Sequence, residues 1–139
     1  MTIDSKQFQL HDVSAFPLVR FRNEMAVAGY ALAWQKEMNT LLLNGQPFVV
    51  VYGHPRIDEA HEDRKHRGLW LKHNKQALAE TCRGLVSIEP DAAAREALSV
   101  AMQGAARAFG VAQQVAASEE QAQAMAHALL AMSPSMGGR

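Results

Sequence analysis

Apolar and polar positions alternate at the start of the chain: Phe8 and Leu10 lie between Gln7, Gln9 and His11, the period of two expected of a half-buried edge strand. Asp12 to Ala15 supplies turn residues. A second strand follows over Pro17–Arg22, with Val19 and Phe21 on one face and Arg20 and Arg22 on the other. So short a link predicts antiparallel pairing of the two. The period then changes. Val27, Tyr30, Ala31, Trp34, Met38, Leu41 and Leu42 form a stripe at helical spacing, with Gln35, Lys36, Glu37 and Asn39 opposite. Asn44-Gly45 ends this helix, because glycine takes the left-handed C′ conformation cheaply.

Phe48-Val49-Val50-Val51-Tyr52 is apolar throughout and β-rich, the pattern of a central strand covered on both faces. A second helix is expected over about Asp58–Cys82, highly charged in its first half and amphipathic in its second. Gly84–Ile88 is the next strand. Pro90-Asp91 opens a third helix with the stripe Ala94, Leu98, Ala101, Met102, Ala105 and Phe109, stopped by Gly110. Gln114–Ala117 is a weak strand. Ser118 and Gln121 form a capping box for a fourth helix that turns Ala122, Met125, Ala126 and Leu129 inward. The order ββαβαβαβα predicts an α/β fold: a mixed sheet of about five strands, the first antiparallel, with four helices. One domain is expected over residues 1–132, followed by a disordered tail at 133–139.

Composition narrows the function classes. In 139 residues, 14 Lys and Arg balance 14 Asp and Glu. No overall field therefore draws the protein to nucleic acid or to an acidic membrane. The same neutrality tolerates self-association, so a homodimer is an expectation. Cys82 is the single cysteine, which rules out an internal disulfide and paired-cysteine zinc patterns. The first residues are polar, and no apolar run approaches the roughly 20 residues of a membrane helix. A bacterial cytoplasmic location with no transmembrane segment is the resulting expectation.

One segment carries a family resemblance. Leu69-Trp70-Leu71-Lys72-His73-Asn74, then Leu78, then Thr81-Cys82-Arg83-Gly84-Leu85-Val86 resembles a stretch of small SpoIIAA-like proteins. These belong to the STAS fold, typified by anti-sigma factor antagonists. The specific match covers about residues 69–88, and the order of elements matches over most of the chain. The resemblance implies a STAS-like sheet and a regulatory, protein-binding role. STAS phosphoswitches carry a Ser or Thr at the start of the second helix. Here no Ser or Thr lies between Tyr52 and Thr81, and Asp58, Glu59, Glu62 and Asp63 occupy the region. Such carboxylates imitate a fixed charge, and they also suit any helix N-terminus.

The chemistry-bearing residues gather at the start of that second helix. At about 100° per residue, Asp63, Arg67 and Asn74 share the face of Trp70, Leu71 and Leu78. With His54, Arg56 and Asp58 just ahead of them, they are the candidate partner- or ligand-binding residues, at the end of an open sheet where ligands collect. The plainer alternative makes Asp63 and Arg67 an i,i+4 ion pair and Asn74 a buried amide. His61, His66 and His73 are spaced wrongly for one ion, and no HExxH occurs, so neither a metal nor a cofactor is expected. Cys82 is expected in the core. Arg20 and Arg22 must be solvated, paired or part of a partner surface.

With no catalytic constellation, the expected function is a non-enzymatic regulatory or protein-interaction domain. The alternatives are a small-molecule protein for a lipid or metabolite, recognisable by a deep pocket between the first two helices, and a hydrolase-type enzyme pairing His54 with Asp58 or Asp63.

Overall fold

The computed structural model describes residues 4–53 and 59–132. His54, Arg56 and Asp58 lie outside the described residues, as does the segment expected to form a tail. The fold is α/β, with one five-stranded sheet in the order β1-β2-β3-β4-β5. The strands are β1 (His11–Asp12), β2 (Leu18–Phe21), β3 (Phe48–Tyr52), β4 (Cys82–Ile88) and β5 (Gln113–Ala116). β1 runs antiparallel to β2 and the remaining pairs are parallel, as the hydrophobic pattern predicts. The helices are α1 (Ala31–Asn44), α2 (His61–His73), α3 (Lys75–Thr81), α4 (Ala92–Phe109) and α5 (Glu119–Ala131).

Three details differ from expectation. The first strand is short and late. Phe8 and Leu10 are buried as their alternation requires, but no strand receives their neighbours' amides. The Glu37 carboxylate on α1 accepts the N–H groups of Gln9, Leu10 and His11 at 2.9–3.2 Å. Glu37 is therefore buried, although it lies opposite the apolar stripe. Second, α1 begins at Ala31 and leaves Val27 exposed. Gly29 turns the chain at φ 90° just ahead of it, a conformation that costs glycine little.

The third difference is the helix count, which is five among the described residues. The expected second helix breaks into α2 and α3 at Asn74 (φ −110°, ψ 21°). The Asn74 side-chain amide and backbone N–H both donate to the Trp70 carbonyl, at 2.9 and 3.0 Å. Asparagine offers the backbone such a local alternative to the helix, so the chain stops and restarts there.

The sheet's two faces have separate cores. Odd-numbered β3 residues, Val49 and Val51, pack with Val86, Ile88 and the Ala122, Ala126 and Leu129 side of α5. Phe48 and Val50 face Trp34, Met38 and Leu41 of α1, Trp70 of α2 and Leu78 of α3. Gly84 of β4 faces α5. A Cβ there would lie 2.7 Å from Leu129 Cδ1 and 3.3 Å from the Ala112 carbonyl, so a side chain at that position would require Leu129 of α5 to shift. Cys82 is buried, its Sγ 3.5 Å from the Gly84 carbonyl oxygen. Burial pushes its thiol up to about 12, so it stays protonated and unreactive.

Helix ends are closed where the pattern expects. Asp91 accepts the Ala94 amide at 2.8 Å to open α4, and Gly45 and Gly110 end α1 and α4 in the left-handed region. Ser118 Oγ accepts the Gln121 amide at 3.1 Å, while Gln121 Oε1 reaches the Ala117 amide rather than the cap's own. Arg20 pairs with Glu119 at the start of α5, at 2.5 Å. Among the described residues, no helix is long and apolar enough to cross a membrane.

Candidate functional site

A cavity of about 380 Å³ lies beneath α2 and α4, on the side of the sheet opposite α5. Its existence follows from α4. The helix has an amphipathic pattern, yet none of its 18 residues is buried. Ala101, Met102, Ala105 and Phe109, the inward stripe, line the cavity instead of closing against the sheet. Leu85 forms the floor, Leu71 of α2 a wall, and Phe21 and Tyr52 stand at the strand ends. The parallel crossovers β3–α2–α3–β4 and β4–α4–β5 place helix starts near the carboxyl ends of the strands, where open sheets bind ligands.

A polar cluster closes one side of this apolar space. The Arg67 guanidinium donates from Nη1 to Glu59 Oε2 at 2.8 Å, and the Tyr30 hydroxyl donates to the same oxygen. Arg64 Nε lies 3.9 Å from the other Glu59 oxygen and is largely in solvent. Arg67 also sits over the Trp34 ring, 5.0 Å from its centroid, in cation–π contact. Burial acts to lower the Arg67 pKa, but Tyr52, Tyr30 and Glu59 outweigh it and raise the value, so the group stays charged. Burial raises the Tyr30 pKa, against the pull of Arg67 and with the Glu59 hydrogen bond, so the phenol keeps its proton. The Arg67 Nε–H is out of water and has no acceptor among the described residues. Tyr52 and Ser87 also line the cavity, and among the described residues neither side chain makes a hydrogen bond.

The sequence candidates therefore separate. Arg67 belongs to the cavity, but its partner is Glu59 rather than Asp63. Asp63 is buried and turned toward α1. It accepts the Gly29 amide at 2.8 Å and the Ala31 amide at 3.1 Å, capping α1 from a neighbouring helix. Asn74 is used inside its own helix. Neither lines the cavity.

Tyr30, Glu59 and the α4 stripe are site residues that pattern alone assigned to core or to solvated surface. The only hint of the α4 role was its alanine content, which leaves room where larger side chains would fill the layer.

Other polar contacts on this face are ties between elements. His66 bonds Gln35 at 2.6 Å, and the Trp70 indole N–H donates to Asn39 at 3.0 Å, both joining α2 to α1. His11 Nδ1 meets Glu37 at 2.8 Å. Burial alone would raise the Glu37 pKa; hydrogen bonds from His11 and from the Leu10 and Gln9 amides override it and hold the carboxyl below its ordinary value. Among the described residues, no histidine lines the cavity and no group of three His, Cys, Asp or Glu side chains gathers as a metal site would require. Set against protein-family models, curated proteins and solved structures, the chain matches none.

Proposed function

We propose that this protein binds a small amphipathic molecule in the cavity between α2, α4 and the sheet. The observation that carries the reading is the pairing of an apolar chamber with one polar end. The volume of about 380 Å³ falls in the range of small-molecule sites, roughly 300–1,000 Å³. The composition of such sites, mostly apolar with a few fixed polar groups, is that of the Leu71, Leu85, Met102 and Phe109 walls beside Tyr30, Glu59 and Arg67. An apolar helix stripe left unburied is a cost in the empty protein, and a ligand covering it recovers that cost through burial.

The protein-docking reading rests on the charged start of α2, where Asp63 is already bonded to α1 and Arg67 to Glu59. Kinship with STAS-like proteins, proposed from residues 69–88, concerns the scaffold and is compatible with a ligand cavity. The reading is tested with a neutral, environment-sensitive probe such as phenylnaphthylamine. The wild type enhances its fluorescence saturably. Ala105→Trp, which fills the chamber from α4, weakens binding by about tenfold or more while the far-UV circular dichroism is unchanged. Equal probe binding by a folded Ala105→Trp protein overturns the assignment.

A further inference from the structure

We infer that the ligand is a monoanion with a single apolar chain, a medium-chain carboxylate, held head-first against Arg67 and Arg64. This deepens the cavity reading above and rests on it. Three observations select the class.

The first is charge. Among the described residues, two guanidiniums and one carboxylate line the cavity, a balance of one net positive charge at its polar end. Glu59 is already engaged by the Tyr30 hydroxyl and by Arg67, with Arg64 beside it. A cationic head would have to displace these donors, whereas an anionic head adds to them. One negative charge balances the site. A dianionic phosphate monoester would leave it negative beside Glu59.

The second is the set of unspent donors. Arg67 uses Nη1 on Glu59 and lines the cavity, whereas its Nε–H is closed to a water-sized group and is not offered to the ligand. Arg64 is mostly exposed, and among the described residues its guanidinium has one ion pair, at 3.9 Å to Glu59. Tyr52 and Ser87 line the cavity, and among the described residues neither side chain makes a hydrogen bond. Guanidiniums match a carboxylate in geometry as well as in sign. A neutral alcohol head would satisfy fewer of these donors and would leave the charge uncompensated.

The third is the size and lining of the remainder. Beyond the polar end the described lining is mostly side-chain hydrocarbon and aromatic ring, with Asn23, Ser87 and Gln113 the polar exceptions. A volume near the lower end of the small-molecule range admits one chain of moderate length and not a diacyl lipid.

The test uses the full chain, stripped of bound amphiphile on a hydrophobic resin. It is titrated calorimetrically with decanoate, decanol, decylammonium and decyl phosphate, each below its micelle concentration. Decanoate is expected to bind at least about tenfold tighter than decanol or decylammonium, the increment of a charge-assisted hydrogen bond. Decyl phosphate is expected to bind no tighter than decanoate. Arg64→Gln, a change at an exposed position that spares the fold, is expected to weaken decanoate by about fivefold or more and to leave decanol unchanged.

Equal binding of decanoate and decanol, or a preference for decylammonium or decyl phosphate, overturns the head-group assignment while the cavity reading stands. An Arg64→Gln protein with unaltered decanoate affinity does the same. If none of the four amphiphiles binds, both the assignment and the cavity reading fall.

Discussion

α4 and α5 cover opposite faces of the same sheet, and they do so in contrasting ways. α5 is the shorter, at 13 residues, and buries Ala122, Ala126 and Leu129. It lies so close to β4 that a Cβ at Gly84 would meet Leu129 Cδ1 at 2.7 Å. α4 has 18 residues and buries none. Both helices are alanine-rich and both have an apolar stripe. What separates them is the surface opposite. α5 meets Val49, Val51 and Val86, whose side chains fill the gap, whereas α4 meets Leu85, Ser87 and Gln113 across a chamber. The same small side chains produce close packing where the facing layer is continuous and a cavity where it is not.

The contrast is exposed to experiment. Leu129→Ala on α5 is expected to cost about 2–5 kcal/mol, the range for deleting a core leucine, read from the urea midpoint at constant m value. If its loss were as small as that of Met102→Ala on α4, the two helices would be equally loose and the contrast would fail.

A second test asks whether the whole cavity face is slack or only α4. Glu37→Gln, on the α1 side of that face, turns an amide toward backbone N–H donors. It is expected to cost about 1.5–3 kcal/mol at neutral pH, as for lost hydrogen bonds to a charged group. The pH dependence has a definite sign. The folded Glu37 pKa is depressed, so its contribution is complete above the ordinary carboxyl value of 4.5 and is lost as pH falls through the lower folded value. Wild type and variant should therefore converge in acid. A gap that is constant with pH would exclude the carboxylate as its source.

Overpacking sharpens the comparison further. Ala126→Leu forces extra volume into the α5 core and is expected to cost about 1–3 kcal/mol. Ala105→Leu on α4 grows into open space, and the expected change is within about 0.5 kcal/mol, with diminished probe binding. The smallest effect needs no mutation. Amide hydrogen exchange should be slower in α5 than in α4, since protection follows buried contacts.

Much of the framework was legible in local pattern. The period-two and continuous apolar runs located β2 to β5, and glycines marked the ends of α1 and α4. The misreadings share one cause, a side chain whose hydrogen-bond partner the apolar pattern does not mark. The amides after Phe8 look destined for a strand, yet they are taken by Glu37, 26 to 28 residues later. Asn74 has the spacing of a helical face, yet its amide bonds the Trp70 carbonyl one turn back. The site was less legible for the same reason. Arg67 was visible, but Glu59 resembled any solvated acid before a helix, and Tyr30 any core aromatic. Only the fold brings them to one oxygen atom.

The Asp63 cap has a consequence for the order in which the chain matures. α1 has no side-chain cap from its own first residues; its opening amides wait for a carboxylate more than 30 positions downstream. During synthesis the first helix leaves the ribosome with its leading end unfinished. It acquires that end only when the second helix has emerged and turned back upon it. A chain cut between them would hold every residue of α1 and still lack the atom that closes it.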